Sequence, residues 1–132
     1  MILFRVLRKG SVNSHEQAQG EDMQLDTWAG MSSFEYSCSV QSGTEIFYGA
    51  DCSNRAVVTQ SEYRDLLLHF SGLEVKIGTS RTDPPERSVG QWLRTHVTRT
   101  ALVSYIGPIL IHEGYAERGR LPDRIRFKPP RS

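Results

Sequence analysis

From Ser33 onward the apolar positions of this chain fall into blocks of distinct period. Phe34, Tyr36, Cys38 and Val40 alternate with Glu35, Ser37 and Ser39, the period of two that suits a half-buried strand. Gln41-Ser42-Gly43 is a turn signal, and residues 44–49 supply a second strand, so 34–49 reads as a hairpin. Residues 50–55 form another turn, and Ala56 to Thr59 a short third strand. The period then changes. Tyr63, Leu66, Leu67 and Phe70 stand at i, i+3, i+4 and i+7, one face of a helix. Thr59 or Ser61 is placed to cap it, Glu62 and Asp65 favour its N-terminal dipole, and Gly72 ends it. Leu73 to Ile77 alternates again and predicts a strand closed by Gly78.

Residues 79–87 carry Pro84-Pro85 and predict a loop. Ser88 is a good N-cap for a second helix with Val89, Trp92 and Leu93 inward. A third helix, capped by Thr98 or Thr100, puts Leu102, Tyr105, Ile106, Ile109 and Leu110 on one face and stops at Gly114. Pro108 lies inside it and predicts a kink or restart, because it removes the amide bond to Ser104. Tyr115 to Glu117 and Ile125 to Phe127 then predict two strands joined by a basic tip, residues 118–124. No internal repeat or low-complexity tract is present.

Residues 10–30 are polar, rich in Gly, Gln and Glu, and without a clear period. They predict a mobile leader over 1–30, dispensable to a folded unit that begins near Met31; only Trp28, uncommon as an exposed residue, stands against this. The expected architecture is therefore α+β, a single domain over 31–132. A β-hairpin or small meander at 33–59 packs on a unit of helices and wing at 60–128.

The net charge of +1 hides a division. Residues 1–90 hold eight Lys/Arg and twelve Asp/Glu, whereas 91–132 hold eight and three. The last third is thus the part suited to meet phosphate. Cys38 and Cys52 make neither a disulfide framework nor zinc spacing, and reduced, partly buried thiols are expected. The N-terminal apolar run is too short for a signal segment or a membrane span; a cytoplasmic protein is expected.

The order from Ser61, helix, strand, helix, helix, strand, wing, strand, resembles the winged helix-turn-helix superfamily over about 70 residues. Val97-Thr98-Arg99-Thr100 looks like the turn and start of a recognition helix. Leu110 with Gly114-Tyr115 looks like the ending before the first wing strand, and Ile125-Arg126-Phe127 like the return strand. The resemblance implies a third helix lying in the major groove. Arg99, Thr100, Val103 and Ser104 would then face duplex DNA, and Arg94 and Thr98 the backbone. Arg118, Arg120 and Arg124 on the wing would reach phosphates or a minor groove. Arginine suits both tasks through its planar fork.

A second reading competes. Val103, Gly107 and Ile111 form a small apolar line at i, i+4 and i+8 on the outer side of the third helix, which is nearly neutral. Such a stripe, or the outer edge of the N-terminal hairpin, suits a homodimer or protein partner, with the winged helix only a scaffold. No paired carboxylates, triad or cofactor loop can be located, so no enzyme is expected. His15, His69, His96 and His112 lack metal-like spacing with one another or with the cysteines, so no metal or cofactor is expected. Lys76 to Arg81 has the residue types of an anion site but not the glycines leading into a helix.

Overall fold

The structure is a computed structural model and describes residues 22–80, 83–97 and 102–129. Within them the chain is α+β, with three helices and two antiparallel sheets. The first sheet is a meander of β1 (Met23–Asp26), β2 (Ser33–Ser39), β3 (Gly43–Tyr48) and β4 (Asn54–Thr59), in that spatial order. A 3-10 turn, Ala50–Cys52, joins β3 to β4. Helix α1 (Gln60–Phe70), strand β5 (Glu74–Lys76), helix α2 (Val89–His96) and helix α3 (Val103–His112) follow. Strands β6 (Ala116–Arg118) and β7 (Arg124–Phe127) complete a second sheet of order β5-β7-β6.

Local chemistry sets the helix starts. Thr59 Oγ1 accepts the Glu62 amide while the Glu62 carboxylate accepts the Thr59 amide, a reciprocal capping box. Ser88 Oγ accepts the Gln91 amide and donates to the Pro85 carbonyl at 2.6 Å. Both ends are legible as capping residues in the sequence. Helix α3 begins at Val103 with Leu102 at its N-cap; Thr98 and Thr100, expected to cap it, lie outside the described residues.

Two expectations are corrected. The first concerns the leader. Met23–Asp26 pairs antiparallel with β2, Met23 opposite Tyr36 and Asp26 opposite Ser33, and Trp28 is buried. The C-terminal part of the expected leader therefore belongs to the fold, whereas residues 1–21 lie outside the described residues. Lying between β1 and β3, β2 is also covered more fully than a half-buried strand: Glu35 and Ser37 are buried along with Phe34 and Tyr36. Its alternation ends at Cys38, which adopts a left-handed φ of 71° and is exposed; Cys52 is half-buried.

The second correction concerns Pro108. Helix α3 continues through it, so the expected restart does not occur. The Ser104 carbonyl that proline deprives of its helical partner accepts the backbone N–H of Trp28 at 3.0 Å instead. A bond from another element thus replaces the missing one.

One hydrophobic cluster spans both sheets and all three helices. Helix α3 is its centre, with Leu102, Val103, Ile106, Ile109 and Leu110 all buried. Tyr105 meets Phe34 edge-on at 5.1 Å and Tyr48 at 4.8 Å, tying α3 to the first sheet. On the other side Phe70 of α1 stacks on Phe127 of β7 at 5.2 Å. Strand β5 leads into α2 through a tight contact: a Cβ on Gly90 would run into the Gly78 carbonyl oxygen, so only glycine fits there.

Candidate functional site

The outer side of α3, expected to face DNA or a partner protein, is covered from within. Gly107 leaves a notch that Trp28 fills; a Cβ there would stand 2.8 Å from Trp28 Cε3 and 3.1 Å from Ile77 Cδ1. The indole Nε1 donates to the Pro122 carbonyl at 3.2 Å. Arg118 lies over the ring, its Cζ 3.8 Å from the centroid, and donates through Nη2 to the Trp28 carbonyl at 2.8 Å. The loop after β1 is thereby clamped between α3 and the β6–β7 hairpin.

This arrangement bears on Gly107, Ser104 and Arg118 directly. Val103 and Gly107 are buried, and Ile111 is half-buried against the core. The line expected to contact another protein is corrected to an internal seam. It looks free in the sequence because the segment that covers it reads as leader. Ser104 is half-buried, with its carbonyl engaged as described. Arg118 is committed to Trp28. Arg120 is exposed at the hairpin tip, its amide donating to Glu74 Oε2 at 3.3 Å. Arg124 is half-exposed, yet its Nε is buried with no hydrogen-bond partner among the described residues. Arg94 is half-exposed near the end of α2. Thr98, Arg99 and Thr100 lie outside the described residues. The hairpin thus brings Arg118, Arg120 and Arg124 together, with only Arg120 both exposed and free of the seam.

A different surface stands open. Between α1, the β2–β3 turn, the α3–β6 corner and the end of β7 lies a cleft of about 880 Å³. Tyr63, Arg64, Leu67 and Leu68 line it from α1, Val40 and Gln41 from the turn, and Tyr115, Lys128 and Pro129 from the far wall. Leu68, at the cleft edge, is 67% exposed. Sequence reasoning missed this surface. Its signal is the run Leu66-Leu67-Leu68: a helix that buries Tyr63, Leu66 and Phe70 on one side must turn Leu68 away from it.

Beneath the cleft lies a polar tie. The Glu113 carboxylate accepts the Tyr36 hydroxyl at 2.7 Å and the Val40 amide at 3.0 Å, binding the end of α3 to β2. Thr44 and Tyr63 share a hydroxyl–hydroxyl bond of 2.7 Å. Burial raises the Tyr36 phenol far above its usual range, and the bond to Glu113 and that carboxylate's charge raise it further. Burial also raises Tyr63, against the Thr44 hydrogen bond, which lowers it. Both hydroxyls stay protonated and act as hydrogen-bonding groups, not as bases.

Among the described residues no three His, Cys, Asp or Glu side chains converge as a metal site. No helix among them is long and apolar enough to cross a membrane. In the Lys76 to Arg81 stretch, Ser80 Oγ accepts the Asp83 amide and Gly78 is packed against Ser88 and Gly90, while Arg81 lies outside the described residues. Comparison of the chain with protein-family models, curated proteins and solved structures finds no match.

Proposed function

We propose that this chain is a cytoplasmic protein-interaction module on a winged helix-turn-helix scaffold, with the α1 cleft as its working surface. The scaffold is supported by the helix-strand-helix-helix-strand-strand order from α1 and by β7 lying between β5 and β6. One observation carries the reading: Trp28 occupies the outer side of α3, whereas the exposed apolar side chain of α1, Leu68, borders an open cleft. A helix that reads base edges needs a free side to enter the major groove. Here that side is covered by an indole and an arginine from the same molecule.

The second reading is a duplex-DNA regulator using Arg94, Thr98, Arg99, Thr100, Ser104, Arg118, Arg120 and Arg124. The basic balance of residues 91–132 and the exposed Arg120 favour it. Fluorescence anisotropy of a labelled mixed-sequence duplex at ~50 and ~200 mM salt separates the two, since phosphate contacts lose affinity steeply over that range. The interaction reading expects no binding at either salt. Binding at the lower salt that falls steeply at the higher would replace it with the DNA reading.

A further inference from the structure

The cleft has a shape and a charge that narrow its occupant. It runs from Gln60, the first residue of α1, to Ser71, just past its last turn. An eleven-residue helix is roughly 16 Å long, so the cleft's volume corresponds to a cross-section of roughly 50 Å². That is about half the section of an α-helix with its side chains, whose diameter is about 10–12 Å. A trough open on one side therefore has room for one face of a helix. A single alkyl chain would leave much of it unfilled, and unfilled apolar space forfeits contacts.

Strand addition is not on offer at the inner wall. The Tyr115 amide donates to the Leu110 carbonyl, and the Tyr115 carbonyl accepts the Lys128 amide. A helix brings its backbone already satisfied, and needs from the cleft only an apolar floor and a matching rim. The floor is Val40, Tyr63, Leu67 and Tyr115, with Leu68 standing at its edge. The charged residues among the described lining are Arg64 and Lys128, both exposed, and neither forms an ion pair among the described residues. Arg126, two residues before Lys128, is already paired with Glu117.

We propose that the α1 cleft receives an amphipathic helix of a partner protein whose apolar face is bordered by acidic side chains. This rests on the interaction reading above. The partner's apolar residues at i, i+3 or i+4 and i+7 lie on Leu67, Leu68 and Tyr115, and its carboxylates meet Arg64 and Lys128. The cations select the partner and its orientation, and the apolar floor holds it.

The test uses the full chain and two labelled synthetic amphipathic helices. They share the same leucine positions and differ only in having Glu or Lys along the borders of the apolar face. The acidic helix is expected to bind about tenfold or more tightly than the basic one at ~150 mM salt. Arg64→Glu with Lys128→Glu, both at exposed positions, is expected to reverse that preference without changing the melting temperature. Leu68→Glu is expected to abolish binding of either helix. Equal affinity for the two peptides would overturn the acidic partner and leave the interaction reading standing. No binding of either up to about 1 mM would overturn both. A dimer of the chain alone in sedimentation, dissociated by Leu68→Glu, would make a second copy the occupant and overturn the proposal.

Discussion

Gly107 and Pro108 act as a pair, and what they serve is Trp28. Proline removes an amide from α3 and so leaves the Ser104 carbonyl to the Trp28 N–H; glycine removes a side chain and so leaves room for the indole. Gly107→Ala must push aside Trp28 and Ile77, both packed, and is expected to cost about 1–3 kcal/mol. Trp28→Ala removes a buried aromatic side chain and is expected to cost about 3–5 kcal/mol. The two penalties share one contact. In the double variant the methyl introduced by Gly107→Ala enters space the indole has vacated, so the combined cost should fall short of the sum by about 0.5 kcal/mol or more. Urea midpoints of the parent, the two single variants and the double variant measure this. Strict additivity would mean that the indole is not what the glycine accommodates. A sequence reader sees these same two residues as blemishes in a recognition helix, an apolar line and a helix breaker. Their meaning depends on a tryptophan 79 positions before Gly107, a distance over which no periodicity speaks.

Elements with a local cause could be read from the sequence, and those held by distant partners could not. The α1 start follows from Thr59 and Glu62 alone, the α2 start from Ser88, and the second sheet from alternation around Val75 and Ile125. Strand β1 has four residues, mostly exposed, and is defined by its backbone pairing with β2; its side chains leave almost no pattern to find. The cleft was equally hidden, since its walls come from α1, the β2–β3 turn and the end of β7. Glu113 joins two separate regions by accepting the Tyr36 hydroxyl and the Val40 amide, and the buried phenols give the fold a pH dependence with a definite sign. The folded-state pKa of Tyr36 and of Tyr63 lies above that of an unfolded tyrosine, about 10. Their contribution is therefore fully present below pH ~10 and is lost as pH rises beyond it. Urea midpoints should be level between pH ~8 and ~9 and decline above ~10. Tyr36→Phe should make the decline shallower while lowering stability at neutral pH by about 1–2 kcal/mol, because Glu113 loses a donor. A decline as steep in Tyr36→Phe as in the parent would remove Tyr36 from this account.

At the scale of the molecule, the meander and the helical unit share one hydrophobic cluster, and the seam between them runs along α3. Tyr105 packs against Phe34 and Tyr48 of the first sheet, Trp28 fills the Gly107 notch, and Arg118 carries the contact to the β6–β7 hairpin. Two shortened chains, one beginning at Asp22 and one at Met31, isolate this seam, since they differ only by β1 and the Trp28 loop. The shorter chain loses the indole, the donor to Ser104 and the outer neighbour of β2 together. A loss of about 3–5 kcal/mol in a domain of this size corresponds to a melting temperature lower by more than about 10 °C. Equal melting temperatures would restore residues 22–30 to a dispensable leader. The two chains also bear on function. If the shorter one folds and binds duplex DNA with a steep salt dependence while the longer one does not, the seam masks a groove-reading helix. If neither binds, the seam is not what keeps α3 from DNA, and the groove reading fails in both chains.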